Sequence, residues 1–262
     1  MKQDKILAWF SAGATSAVAC KLALNTYGKT AVKVIYIDTG SAHSDNERFI
    51  KACENWYGTP IHRVRNTEYK DIYDVFLKKK YINSPYGAPC TALLKKDVRY
   101  RIEDENPDYT AQIFGFEYSK AEINRSIRFT EQYPHTRPKF PLIEQRLTKE
   151  DALAILIRAG IEPPIMYRLG YHNNNCIGCV KGGIAYWNKI RRDFPEVFAR
   201  MATIERQLGA TCLKDNQGKI FLDELDPTRG NHLPPIVPTC SIFCEPEFLD
   251  IEDPKIKNIF EQ

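Results

Sequence analysis

Along the first 120 residues, apolar runs with the texture of buried strands alternate with stretches of helical period. Ile6-Leu7-Ala8-Trp9-Phe10 is a short continuous apolar run, the pattern of a strand covered on both faces. Ala17 through Leu24 follows as a helix of small and apolar residues. A second β-rich run, Ala31 to Ile37, ends at Asp38-Thr39-Gly40; Pro60 to Val64 is a third, and Tyr109 to Phe116 a fourth. Between the second and third, Ser44 stands three residues before Glu47, the spacing of a capping box, and that helix closes at Gly58. Strands alternating with helices predict an α/β fold: a parallel sheet with helices on both faces and ligands outside the carboxyl ends of the strands.

The texture changes after Phe140. Thr148 with Asp151 caps a helix running to Ala159, which Gly160 and Pro163-Pro164 end. A cysteine segment, helical stretches over 183–193 and 195–208, and a proline-rich tail carrying Cys240 and Cys244 follow. The expected division is an α/β nucleotide-binding domain over 1–145 and a smaller, mostly helical, cysteine-bearing region over 146–262.

Composition narrows the setting. At 262 residues the chain can bury a full core. It has no apolar run near the roughly 20 residues of a membrane span and no signal-peptide pattern, so the expected location is cytoplasmic, with no membrane partner. Eight cysteines are too sparse for a disulfide scaffold, and their clustering in the C-terminal half suggests a metal site in a reducing compartment. A net charge of +4 suits anionic ligands without being a nucleic-acid footprint. Three basic clusters read as solvated helix faces: Lys78-Lys79-Lys80, Lys95-Lys96 with Arg99 and Arg101, and Lys189 with Arg191-Arg192. Converging on one side of a cleft, they would instead track a phosphate backbone. Tyr186-Trp187 reads as core, with base stacking the alternative.

Candidate chemistry begins at Ser11-Ala12-Gly13-Ala14-Thr15-Ser16, where the first strand hands over to its helix. Such a turn presents backbone N–H groups at the positive end of the helix dipole, where phosphate binds, and Ser11, Thr15 and Ser16 add hydroxyl donors. Gly40 lacks a Cβ, so the Asp38-Thr39-Gly40 turn can approach a base or ribose; the alternative is that Asp38 only caps the turn. Arg125, with Lys120, can face phosphate or sulfate oxygens, or Arg125 can pair with Glu122 one helical turn away.

Taken in order, these segments resemble the phosphoadenosine-phosphosulfate (PAPS) reductase-like branch of the PP-loop ATP pyrophosphatases. The resemblance is carried by the Ser11–Ser16 loop, Ile37 to Gly40, Gly115 with Glu122 and Arg125, and Pro141-Leu142-Ile143-Glu144 with Leu147-Thr148. Met166 to Tyr171, leading into Cys176-Ile177-Gly178-Cys179, completes it, so that it covers residues 5–182. It implies a Rossmann-like sheet (adenine nucleotide alpha hydrolase-like) and binding of ATP or PAPS with Mg2+ by Ser11, Gly13, Thr15, Ser16, Asp38, Thr39, Gly40 and Gly115. Catalytic roles fall on Ser16, Arg125 and Cys240. ATP-cleaving relatives read Ser-Gly-Gly-x-Asp-Ser in the first loop; here Ala12 replaces the first Gly and Thr15 the Asp, while Ser16 is kept. The leading expectation is adenylylation of an acceptor for sulfur transfer. The alternatives are reduction of PAPS or adenylylsulfate to sulfite, and a non-catalytic nucleotide-sensing or partner-binding module. Partners implied are an adenine nucleotide, a sulfur-donor protein or thiol reductant, a tRNA or DNA acceptor, and a second copy in a homo-oligomer.

Iron–sulfur members of the family hold part of their cluster at the position of Cys90. The resemblance therefore implies a 4Fe–4S cluster on Cys90, Cys176, Cys179 and either Cys240 or Cys244. A structural zinc on Cys176, Cys179, Cys240 and Cys244 is the alternative, with a redox dithiol or a nucleophilic Cys240 the third. Cys20, Cys53 and Cys212 read as core or surface residues outside any site, Cys20 and Cys53 as packing residues of helices.

Overall fold

A computed structural model describes residues 5–83 and 87–230. Strands β1 (Ile6–Phe10), β2 (Val32–Ile37), β3 (His62–Val64), β4 (Ala111–Ile113) and β5 (Pro138–Lys139) form one sheet in the order β3-β2-β1-β4-β5. Every pairing in it is parallel. Its helices and their successors are α1 (Ala14–Tyr27), α2 (Asn46–Tyr57), α3 (Ile72–Lys79), α4 (Pro89–Thr91), α5 (Asp97–Glu105), α6 (Lys120–Gln132), α7 (Pro141–Glu144), α8 (Lys149–Arg158), α9 (Ile165–Arg168), α10 (Ile184–Asp193) and α11 (Pro195–Leu208). An antiparallel pair, β6 (Leu213–Asp215) and β7 (Gly218–Ile220), follows α11.

The Rossmann-like expectation therefore holds. All of β1 is buried, which is why its sequence shows no alternation. Ile6, Ala8 and Phe10 face α1, α2 and α8, while Leu7 and Trp9 face Val98 of α5 and Phe129 of α6. From β1 the chain builds outward through β2 and β3, then returns to β4 on the other side. The strand order thus reverses between β1 and β4, and a crevice opens at their carboxyl ends, where open α/β sheets bind ligands. A further apolar cluster joins α3 and the cysteine segment to α10 and α11, with Phe76, Trp187 and Met201 fully buried.

Several local expectations change. Strand β5 escapes the sequence pattern because it is two residues long and starts with a proline, tolerable only at the sheet edge where it lies. The Ser44–Glu47 capping box does not form; α2 starts after Asp45, whose carboxylate accepts from Arg48 at 2.6 and 2.9 Å and from the Ile165 N–H at 2.8 Å. Gly58 ends α2 in the left-handed conformation, and Thr148 with Asp151 forms the capping box of α8, both as expected. The second basic cluster is a solvated face only in part: Arg101 is exposed, but Arg99 is fully buried against the rings of Tyr100 and Tyr133, at 4.5 and 4.4 Å, and Lys95 lines the crevice. Tyr186 and Trp187 are core, and so are Cys20 and Cys53, whose thiols burial pushes up, that of Cys53 to about 12. Among the described residues, no helix is long and apolar enough to cross a membrane.

Asp45 links α2 to α9, and this sets an acid sensitivity. The Arg48 hydrogen bonds, against an opposing burial effect and with help from the Ile165 N–H, hold its carboxyl below the usual range. A depressed folded pKa contributes stability above the unfolded value, near 3.8, and that contribution disappears as pH falls through the folded one. Asp45→Asn is expected to cost about 1–3 kcal/mol at neutral pH. The penalty should shrink below pH 4, which acid titration of stability in both proteins would measure.

Candidate functional site

Strand β1 passes into α1 through three residues of contrasting backbone. Ala12 is left-handed at φ +59° with its methyl fully buried, and Gly13 is extended as the N-cap without a side-chain cap. The first N–H groups of α1 are therefore open to a ligand or another side chain. One of them, from Ala14, donates to the Tyr167 hydroxyl of α9 at 3.1 Å. Ser16 is buried and holds the turn together: its Oγ accepts from the Ser11 N–H and hydroxyl, both at 3.0 Å, and donates to the Gly13 carbonyl at 2.9 Å. Of the residues proposed to touch phosphate, Ser11, Gly13, Thr15 and Ser16 all line the crevice, and Ser16 spends its hydroxyl on loop shape.

Across the crevice, Gly115 follows β4. A Cβ there would lie 2.5 Å from the Ser16 Cα and 2.6 Å from its nitrogen, so only glycine lets this strand end pack on the first turn of α1. The cavity between measures about 370 Å³, within the range of small-molecule sites. Trp9, Phe10, Tyr36, Phe114 and Phe116 supply aromatic wall, enough for a purine ring to pack against. Arg125 lines it too; its guanidinium lies 4.4 Å from the Phe116 ring centre and 2.9 Å from Glu122, so the cleft position and the helical pair occur together.

Thr39 lines the cavity, whereas Asp38 and Gly40 stand outside its lining. Asp38 accepts the Gly40 N–H at 2.8 Å, the turn-capping alternative. Gly40, at φ +68°, is needed because a Cβ would meet the Lys70 carbonyl oxygen at 2.0 Å. Its close neighbour is backbone of this chain.

Sequence reasoning missed several lining residues: Glu117, Lys149, Tyr167 and the segment from His172 to Asn175. Tyr167 does lie within a family motif, but nothing in that pattern points it at α1. Its hydroxyl also receives the Asn174 N–H, and burial raises its pKa to about 12, so it stays protonated and able to donate at neutral pH.

Cys176 lines the same cavity, with its sulfur 3.1 Å from the Thr39 Oγ1. Together with Cys90 and Cys179 it also lines a second, much smaller space of about 10 Å³, shared with Thr39 and Lys95. Lys95 belongs to a π-helical turn, Ala92–Lys96, a distortion common at functional sites. The structure thus gathers three of the five proposed ligand cysteines; Cys240 and Cys244 lie outside the described residues. The space between the three is the size of one water. Among the described residues, no group of three or more His, Cys, Asp or Glu side chains is arranged to hold a metal ion.

A sequence model described as the phosphoadenosine phosphosulfate reductase domain matches residues 5–182, more than half of the chain. The chain belongs to that family. An uncharacterized protein of Methanocaldococcus jannaschii is 23% identical over 218 residues, 77% of this chain and 42% of that relative. The chain therefore spans less than half the length of the curated relative it matches. Among solved structures, a phosphoadenylyl-sulfate (PAPS) reductase from Candida auris, in a phosphate complex, is 14% identical with a TM-score of 0.48. That match covers 67% of this chain and 82% of the other.

Proposed function

We propose that the crevice binds ATP and that the protein adenylylates an acceptor oxygen for sulfur transfer. The observation that carries this reading is Cys176: a thiol lines the same cavity as the Ser11–Ser16 loop, so sulfur and nucleotide phosphates would share one compartment. An acceptor oxygen attacks the α-phosphorus, the α–β P–O bond breaks, and pyrophosphate leaves. A sulfur nucleophile then attacks the acceptor carbon, and the oxygen departs with AMP. The N–H groups of the Gly13–α1 turn and the hydroxyl of Thr15 would take the charge gathering on pyrophosphate, as a preorganised anion site does. Mg2+ is characteristically held by one or two carboxylates plus substrate phosphates, and Glu122 is a carboxylate on the cavity wall. Bound there, the ion would offset phosphate charge.

Cys176 also favours a second reading, reduction of a phosphosulfate. A thiolate attacks the sulfuryl sulfur, the S–O bond breaks and the nucleotide leaves; an external dithiol then releases sulfite and is itself oxidised to a disulfide. Calorimetric titration with ATP–Mg2+ and with PAPS, followed by assays for AMP with pyrophosphate and for sulfite, separates the two. Tighter ATP binding, with pyrophosphate released when tRNA, DNA or a small acceptor is supplied, is expected. PAPS preference with sulfite formation would overturn the adenylylating reading.

A further inference from the structure

Lys149 is the first residue of α8, and its position runs against two tendencies of lysine. The N-terminal end of a helix carries partial positive charge and favours acids, as Glu150 and Asp151 beside it illustrate. Lysine is also rarely buried without a partner, yet Lys149 is only 7% exposed. A residue that breaks local rules in this way is expected at a functional site.

Its surroundings point to a ligand. Lys149 is on the wall of the main cavity, between Glu117 of the β4 loop and Asn173 of the segment before Cys176. An ammonium carries three N–H donors. Asn173 accepts one at 2.8 Å, while the Glu117 carboxylate stands 3.6 Å away, beyond good hydrogen-bond length. A pair built only to fasten α8 to the β4 loop would be expected to close to a direct contact, since desolvating both charges is otherwise poorly repaid. Glu117 is also felt by the Tyr167 hydroxyl, which sits on the first N–H of α1. The lysine, the phenol and the helix terminus are therefore parts of one wall.

We propose that Lys149 is a binding residue of this cleft, its ammonium meeting an anionic oxygen of a bound phosphate or sulfate chain, with Glu117 as its counter-ion before the ligand arrives. The proposal rests on the reading of the cavity as a nucleotide site and adds the residue that supplies its buried positive charge. Exchange of Glu117 for a ligand oxygen would keep the ammonium paired throughout.

The test is titration of inorganic pyrophosphate, ATP–Mg2+, PAPS and adenosine into the full chain and into Lys149→Met, Lys149→Arg, Glu117→Gln and the double variant Lys149→Met/Glu117→Gln. The double variant removes both charges and so leaves no unpaired buried carboxylate to unfold the site. Loss of the ammonium should weaken pyrophosphate and ATP binding about ten- to a hundredfold, the range for a charged hydrogen bond, and leave adenosine within about twofold. Lys149→Arg should retain most of the affinity, and Glu117→Gln should tighten pyrophosphate. A larger loss for ATP than for PAPS assigns the lysine to a phosphate chain, the reverse to a sulfate. If a cooperatively melting double variant binds pyrophosphate and ATP as wild type does, the proposal is overturned while the nucleotide reading stands. Lysine-dependent binding of pyrophosphate by a protein that takes neither nucleotide would keep the proposal and overturn the nucleotide reading. Binding of none of these anions by wild type overturns both.

Discussion

Gly115→Ala is expected to lower stability by about 2–3 kcal/mol, the upper part of the range for overpacking. It should also weaken nucleotide binding by more than tenfold. The added methyl would sit 2.5 Å from the Ser16 Cα and 2.6 Å from its backbone nitrogen, so neither neighbour can relieve the clash by a rotamer change. About 1 Å of separation between the β4 end and α1 is needed to restore ordinary contact, enough to spoil a preorganised site. Thermal denaturation and calorimetric titration with ATP–Mg2+ would measure both effects. A variant within about 0.5 kcal/mol of wild type that binds normally would show that this strand–helix contact does not shape the site.

Ser16→Ala is expected to cost about 2 kcal/mol and most of the nucleotide affinity, because its hydroxyl is spent on holding the loop. Removing Oγ takes the acceptor from the Ser11 N–H and the donor from the Gly13 carbonyl, and a part-buried polar group left unpaired costs about 1–3 kcal/mol. Gly13 is the N-cap of α1, so the loop that presents the helix N–H groups relaxes with it. Ser11→Ala removes only the partly exposed bond between the two hydroxyls and should cost well under half as much. Equal losses in the two variants would mean that Ser16 does not organise the turn. Denaturation and ATP titration of the two variants side by side would decide it.

Much of the sheet was legible because its central strands are buried on both faces, and burial leaves continuous apolar runs that need no partner to be read. β1 and β2 match their predicted runs nearly end to end. β5 was not legible, because an edge strand of two residues has no apolar pattern to display. Caps divided along the same line. Thr148 and Asp151 form a capping box because both partners lie within one turn of chain. At α2, Asp45 answers to Arg48 and to the distant Ile165 N–H, a contact that no local spacing encodes.

The site divides similarly. The Ser11–Ser16 loop was recognisable because a strand, a small-residue turn and a helix are consecutive, and the chemistry of a helix N-terminus follows from that order alone. Cys90, Cys176 and Cys179 could be grouped through the family pattern, but their water-sized spacing is a property of packing. Local sequence determined the parallel α/β class, the phosphate-type turn and the inert cysteines of the core, because each depends on neighbours within a few residues. Tertiary structure alone decided that Gly40 accommodates Lys70 and that Glu117, Lys149 and Tyr167 converge on the cleft. Those outcomes turn on contacts between residues 30 to more than 150 positions apart, and side-chain direction across such distances is set only when the sheet and its helices have packed.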